Sequence, residues 1–179
     1  MTTEKPKILF DVDGTLALWN LAATEEEIHD PKYYLSQTPD IALINVARTL
    51  LNDPNIEVGV ISKVFDERIA KVKVKWLNKF HLGGINHIFV PYEERKDAYI
   101  PSDGIYILID DYTKNLNEWE AAGHTAIKYR TAVNGNNGTW KGPSINQRMS
   151  EQEMLKVIYK TIDNKIKGIT PKEEKNYDD

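Results

Sequence analysis

Short apolar runs alternate with helical stripes along most of the chain. Five runs have the nearly continuous apolar character of strands buried on both faces: residues 7–12, 57–62, 87–90, 104–109 and 125–128. Between them, apolar side chains recur with helical spacing in residues 40–53 and 65–80, and more briefly around Leu116 and Trp119. The alternation predicts an α/β fold, a three-layer Rossmann-like arrangement of a five-stranded parallel sheet with helices on both faces.

Residues 16–39 break this alternation. They combine three aromatic side chains with an acidic run, and Thr24 has capping-box spacing to Glu27, which predicts a short helix. We interpret this segment as a small cap insertion after the first strand.

The end of the chain carries a last predicted helix. Ser150 and Glu153 repeat the capping-box spacing, and the helix is expected to bury Met154, Ile158, Ile162 and Ile166. We therefore predict a single domain over residues 1–167 and a flexible polar tail over residues 168–179.

Composition narrows the possible classes. The chain has 179 residues, 41% of them hydrophobic, and no cysteine, which suits a cytoplasmic location. No apolar run approaches the roughly 20 residues needed to span a bilayer, and the N-terminus lacks the pattern of a secretory signal, so no membrane partner is expected. A formal charge of −4 argues against a nucleic-acid polymer as partner.

Acidic residues gather where two predicted strands end. Asp11 and Asp13 stand at the end of the first strand, and Asp110 and Asp111 at the end of the fourth. Ligands bind at the carboxyl ends of parallel strands, where four carboxylates would repel one another. A hard divalent cation would relieve the repulsion, and magnesium takes one or two carboxylates together with substrate phosphate. The alternative is that Asp-x-Asp-Gly-Thr is a plain turn.

Candidate phosphate-binding groups lie in neighbouring positions. Ser62 ends the second strand and Lys96 follows the third, and both could hold phosphoryl oxygens. Gly14 would let the backbone approach a ligand closely. Ser62 could instead be a helix N-cap, and Lys96 lies in a charged cluster with Lys63 and Arg95 as rival cations.

Other candidates have two interpretations each. Trp19, Tyr33 and Tyr34 could stack on a nucleobase, or could pack the insertion onto the sheet. The glycine-rich and asparagine-rich loop at 134–142 could border the site or simply connect two elements. The four histidines show no metal-ligand spacing and are interpreted as structural.

The order of these residues resembles the haloacid dehalogenase-like superfamily. Its first motif is matched by Ile8-Leu9-Phe10-Asp11-Val12-Asp13-Gly14-Thr15, its second by Ile61-Ser62, its third by Lys96 and its fourth by Ile109-Asp110-Asp111. The segment Leu-Ile-Asp-Asp-Tyr, followed by a helix, is most similar to the 5'(3')-deoxyribonucleotidase-like group. The chain departs from that group in its shorter insertion and in Ser62-Lys63-Val64, where the group usually has Thr-Ser-Pro.

The resemblance implies a magnesium-dependent phosphatase that acts through an aspartyl-phosphate. Asp11 would be the nucleophile, and Asp13 would protonate the leaving oxygen and then activate water. Mg²⁺ would be held by the Asp11 carboxylate, the Asp13 backbone carbonyl and one carboxylate of Asp110 or Asp111.

The substrate implied is a small phosphate ester, a nucleoside or deoxynucleoside 5'-monophosphate. The alternatives are another small ester such as a sugar phosphate, and a non-catalytic protein that binds a nucleotide or a partner on the same fold.

Overall fold

The strands of the structure, a computed structural model that describes residues 4–133 and 139–168, all run parallel in one sheet. The strands are β1 Lys7–Phe10, β2 Glu57–Val64, β3 Asn86–Pro91, β4 Tyr106–Asp110, β5 Thr125–Arg130 and β6 Ser144–Asn146, in the order β3-β2-β1-β4-β5-β6. The helices are α1 Glu25–Ile28, α2 Pro31–Ser36, α3 Ile41–Leu51, α4 Glu67–Lys79, α5 Thr113–Ala121 and α6 Glu151–Ile166. The predicted α/β class is confirmed.

The sheet has six strands, so the prediction of five is wrong. The additional strand β6 is only three residues long and pairs with the end of β5 through Lys128 and Ser144. Ile145 is its one buried side chain, between two polar residues. A single apolar residue produces neither an apolar run nor an alternation in the sequence. A local sequence pattern therefore does not indicate β6, which is evident only from its pairing with β5.

Helices cover both faces because alternate strand residues point in opposite directions. Ile8 and Phe10 belong to a core that also contains the buried faces of α3 and α6. Leu9 lies on the other face, in a core with Leu116 and Trp119 of α5. Ile166 is 57% exposed in the last turn of α6 and lies outside the core that the rest of that helix joins. Its predicted burial is therefore wrong.

Residues 16–39 contain the two short helices α1 and α2. The predicted capping box of Thr24 and Glu27 begins α1, as that of Ser150 and Glu153 begins α6. Ala17 is fully buried and bridges to Asp13 and to Pro39. The segment is therefore anchored at both ends beside the acidic residues of the first predicted motif.

The chain reverses its direction across the sheet between β1 and β4. From β1 it runs outward to β2 and β3, and then returns to the opposite side of β1 to form β4. Such a switch point leaves a crevice at the carboxyl ends of the two strands. In the register of the pair, Phe10 lies opposite Ile109, which brings Asp11 next to Asp110.

Two predicted segments, the loop at 134–142 and the tail at 168–179, fall partly outside the described residues. The parts outside are residues 134–138 of the predicted loop and residues 169–179 of the predicted tail. Across the parts that are described, no helix combines the length and the apolar character that a membrane span requires.

Candidate active site

Three carboxylates meet at the crevice between β1 and β4. Asp11, Asp110 and Asp111 each offer an oxygen, and these oxygens lie within 4.8 Å of one another. Their residues are at most 8% exposed. The parallel register produces this convergence, since Asp11 also donates its backbone N–H to the carbonyl of Ile109 at 2.9 Å. Of the four acidic residues expected to gather from two strand ends, these three meet, and Asp13 is not among them.

Lys96 joins two of these carboxylates. Its Nζ lies 2.8 Å from Oδ1 of Asp11 and 2.6 Å from Oδ2 of Asp110, and the residue is 2% exposed. Burial alone would lower the pKa of Lys96, but the two carboxylates outweigh it and the pKa is raised. The rival cation Arg95 pairs with Asp97 at 2.9 Å and is half exposed. Lys96 is therefore the member of the charged cluster that reaches the acidic group.

The two acidic residues at the end of β4 have different surroundings. Asp110 is fully buried and accepts hydrogen bonds from Asn115 Nδ2 at 2.9 Å and from the Tyr112 N–H at 2.7 Å, in addition to Lys96. Asp111 lines the neighbouring cavity. Burial, and then the charges of Asp110 and Asp11, raise the pKa of Asp111 to about 8. Asp110 is thus held from within the protein, whereas Asp111 faces the space where a ligand would enter.

The donor set of this acidic group suits a divalent cation. Burial raises the pKa of Asp110 as well as that of Asp111, although Lys96 opposes the change. The protein's own groups therefore stabilise the ionised carboxylates less well than water does. A hard cation with oxygen ligands would supply the missing stabilisation. Asp11, Asp110 and Asp111 could hold a metal ion, and their chemistry alone does not identify which one.

Asp13 is not one of the three residues whose oxygens meet, and its carboxylate pairs with Lys73. Its Oδ2 is in very short contact with the ammonium of Lys73, which also donates to Ser62 Oγ at 3.0 Å. Burial raises the pKa of Asp13, and the charge of Lys73 opposes that rise. Lys73 thus engages Oδ2 of Asp13, and the sequence resemblance implies a metal contact through the backbone carbonyl of this residue.

Ser62 is fully buried and accepts a hydrogen bond from Lys73. It is not among the described residues that line the cavity beside the acidic group. The alternative that it caps α4 is wrong, because Asp66 is the N-cap of that helix. Its proposed contact with phosphate would require the side chains above it to make room.

A cavity of about 430 Å³ opens beside the acidic group. Asp11, Asp13 and Asp111 provide acidic groups, and Lys63 and Lys96 provide basic ones. Aromatic rings form much of the wall, and Phe65 and Tyr92 are stacked with their centroids 4.4 Å apart. The remaining lining residues are Trp19, Ile28, Tyr34, Glu93, Tyr112, Lys114 and Asn115.

The three aromatic residues singled out for base stacking line two cavities that share Trp19, and the rings of Tyr33 and Tyr34 are in edge-to-face contact with centroids 5.1 Å apart. Trp19 lines the cavity beside the acidic group and also a neighbouring one of about 320 Å³. Tyr33 lines the smaller cavity. Tyr34 is 4% exposed, its ring lies 4.9 Å from Nζ of Lys73, and its hydroxyl donates to the carbonyl of Ile28. Tyr34 also lines the larger cavity, but its burial and its contacts with Lys73 and Ile28 make it a packing residue. Trp19 is the best placed of the three for a ligand.

Gly14 occupies a position where a side chain does not fit. Its φ is +78°, in the left-handed region that favours glycine. A Cβ there would also overlap the indole of Trp19 and the carboxylate of Asp111. The glycine thus allows the turn after β1, the insertion and the acidic group to approach one another closely.

Three residues that contact the site were not predicted from the sequence. Lys73 lies between Ile69 and Leu77 on the buried stripe of α4, and a charged residue in the middle of an apolar stripe is a feature that could have identified it. Lys128 stands likewise inside buried β5 and donates to the backbone carbonyl of Asp111 at 2.9 Å. Asn115 has no such feature, since a polar residue in a helix is ordinarily exposed.

Comparisons with known proteins bear on the fold. No family model and no curated protein matches the chain. Among solved structures, one chain of "Structure of Pnkp1/Rnl/Hen1 complex" aligns with a TM-score of 0.54 and 15% identity. The alignment covers 72% of this chain and 46% of that chain, so this chain spans less than half of its structural neighbour. The likeness supports a shared fold.

Proposed function

We propose that the protein is a magnesium-dependent phosphomonoester hydrolase that acts through a phosphorylated Asp11. The observation that carries the proposal is the ammonium of Lys96 between Asp11 and Asp110, at the floor of a cavity that Asp13 and Asp111 also line. A buried carboxylate held in one orientation, with a second carboxylate two residues further along the chain, suits nucleophilic attack followed by proton transfer. The resemblance to the haloacid dehalogenase-like superfamily supports the same chemistry.

Mg²⁺ is the proposed cofactor. The residues that would hold it are Asp11 and Asp111 through their carboxylates and Asp13 through its backbone carbonyl. Asp110 would complete the acidic group on the side away from the cavity. Bound there, the cation would neutralise phosphate charge and withdraw electron density from phosphorus.

The chain's own side chains would carry the reaction in two halves. In the first, an oxygen of Asp11 bonds to phosphorus while the ester P–O bond breaks, and the departing oxygen takes a proton from Asp13. In the second, the oxygen of a water molecule bonds to phosphorus while the water gives a proton to Asp13, and the bond between phosphorus and Asp11 breaks to release phosphate. Lys96 holds Asp11 in place and offsets negative charge during both halves.

A nucleoside or deoxynucleoside 5'-monophosphate is the proposed substrate. A cavity of about 430 Å³ is in the range of small-molecule sites. Its walls offer ring faces from Trp19, Phe65 and Tyr92 for a planar base, and Lys63 stands where it could offset phosphate charge. The short insertion of residues 16–39 would act as a minimal cap beside this space. A sugar phosphate remains the alternative ester, and a non-catalytic nucleotide-binding protein remains the alternative of another class.

Phosphate release from p-nitrophenyl phosphate and from a panel of nucleoside monophosphates and sugar phosphates tests the proposal. We expect turnover with Mg²⁺, loss of turnover with a chelator, and loss in Asp11→Asn. Asp103→Asn is the matched control, because Asp103 is an exposed carboxylate in the turn before β4. An inactive wild type, or an active Asp11→Asn, would contradict the proposal. A wide preference for sugar phosphates would contradict the nucleotidase assignment alone.

A further inference from the structure

Lys73 is a buried cation that the proposed reaction does not use directly. It lies on α4 between Ile69 and Leu77, in the apolar stripe of the helix, and is 1% exposed. A lysine in such a place loses the hydration of its charge, and that loss must be offset by hydrogen bonds and an opposite charge.

All three N–H donors of the Lys73 ammonium have acceptors. They are the carboxylate of Asp13, the hydroxyl of Ser62 at 3.0 Å and the backbone carbonyl of Lys63 at 2.7 Å. The ring of Tyr34 lies 4.9 Å from Nζ and adds a cation–π contact. An ammonium has three donors, so its position is fully determined by these partners.

These contacts tie together segments that are far apart in the sequence. Asp13 belongs to the turn after β1, Ser62 and Lys63 to the end of β2, and Tyr34 to the insertion. Of these described residues, Asp13, Lys63 and Tyr34 line the cavity, and Ser62 and Lys73 do not. Lys73 can therefore influence a ligand in the cavity through Asp13, without touching the ligand.

We propose that Lys73 is a positioning residue that holds the Asp13 carboxyl group where it can transfer a proton to the leaving oxygen. The inference rests on the proposed function and adds a residue to it. In the step concerned, the ester P–O bond breaks as Asp11 bonds to phosphorus, and the proton of Asp13 moves to the departing oxygen. The alternative is that Lys73 only balances the charge of Asp13 and stabilises the fold.

The dependence on leaving group separates these two roles. p-Nitrophenolate departs without a proton, whereas phenolate, with a conjugate acid of pKa about 10 as in tyrosine, and a nucleoside alkoxide gain from one. Lys73→Met should therefore reduce kcat/KM for phenyl phosphate and for a nucleoside monophosphate about 10²-fold more than for p-nitrophenyl phosphate, the scale of general acid catalysis. Because kcat/KM reports on steps up to the first irreversible one, the later hydrolysis of the phosphorylated enzyme does not obscure the comparison.

Three further variants complete the experiment. Lys71→Met is the matched control on the same helix, because Lys71 is exposed and pairs with Glu67 at 2.7 Å; its substrate ratio should equal that of the wild type. Asp13→Asn should show the same selective loss as Lys73→Met. Adding Lys73→Met to Asp13→Asn should change the ratio no further, and this double variant leaves no lone buried charge if the single variant fails to fold.

The measured substrate ratios distinguish a positioning role for Lys73 from a purely structural one. Equal losses on all three esters in Lys73→Met would overturn the positioning role while leaving the proposed function intact. A further loss of more than about tenfold when Lys73→Met is added to Asp13→Asn would also overturn it, because Lys73 would then act on something other than Asp13. A wild type without phosphatase activity would overturn the proposed function and this inference together.

Discussion

Replacement of Asp111 by asparagine tests whether the acidic group is built for a cation. Burial and two neighbouring carboxylates raise the pKa of Asp111 to about 8 in the folded chain, from an ordinary value of 3.8. The folded state thus binds a proton more tightly than the unfolded state does. Stability from this group is fully present below pH 3.8 and is lost as the pH rises towards 8.

The magnitude follows from the same shift. At about 1.4 kcal/mol per pKa unit, ionised Asp111 costs the metal-free fold about 6 kcal/mol above pH 8. Asparagine cannot ionise and avoids this cost. Even half of it corresponds to an increase of roughly 10 °C in Tm for a chain of this size.

The assay is urea or thermal unfolding of both proteins in a chelator, from acid to mildly alkaline pH. Near pH 4 we expect equal stability, and near pH 8 a clear advantage for Asp111→Asn. Mg²⁺ should then narrow the difference, because a ligand at one hundred times its Kd stabilises the wild type by about 2.7 kcal/mol and Asp111→Asn binds it less tightly. A stability difference that does not vary with pH, or equal stabilisation of both proteins by Mg²⁺, would refute the reasoning.

Further predictions concern single residues. Lys96→Met leaves two buried carboxylates without their ammonium and should lower the free energy of unfolding by about 3–5 kcal/mol in urea; an unchanged midpoint would contradict the bridging role. Gly14→Ala should destabilise the fold by about 1–3 kcal/mol and reduce Mg²⁺-dependent turnover, since its φ is +78° and a Cβ would overlap Trp19; full stability and turnover would argue against a crowded turn. Burial lowers the pKa of His124 below its usual 6.5, so the wild type should lose stability relative to His124→Gln as the pH falls through that value, and parallel pH profiles would count against this. Trp19→Leu should raise KM for a nucleoside monophosphate more than for p-nitrophenyl phosphate, and equal increases would reject base stacking.

Most of the sheet was predictable because parallel strands buried on both faces leave continuous apolar runs. The runs over residues 7–12 and 104–109 are of this kind, and each matches an observed strand, β1 and β4 respectively. Strand β6 was not predictable, because Ile145 is its one buried residue and its pairing depends on β5. The length of a strand and its place at the sheet edge come from tertiary contacts, which a local pattern does not contain.

The acidic part of the site was predictable for a related reason. In a parallel sheet, residues that follow the strands meet at one edge, so the positions of Asp11 and Asp110 in the chain are enough to place them together. The aromatic wall was not predictable in the same way. Phe65 and Tyr92 follow β2 and β3, and their stacking depends on how the two loops leave the sheet. The sequence instead indicates the aromatic side chains within residues 16–39 as candidates for base stacking. Among these, the ring of Tyr34 already packs against the ammonium of Lys73.

Lys73 marks an intermediate case. Its position in the apolar stripe of α4 was visible in the sequence, but its partner was not, because Asp13 lies 60 residues earlier in the chain. A buried charge can be inferred from helical spacing, whereas the carboxylate that compensates it is found only in the folded structure.

Trapping of the phosphorylated enzyme tests the central claim most directly. Asp13→Asn, incubated with p-nitrophenyl phosphate and Mg²⁺ and quenched in acid, should accumulate a covalent phosphate, since activation of water for the second half-reaction is impaired while the good leaving group still departs. Peptide mass spectrometry should locate the phosphate on Asp11, and the Asp11→Asn/Asp13→Asn variant should carry none. Phosphate released by an active wild type, with no phosphorylated Asp11 in the trapped variant or with the label on another residue, would contradict the account.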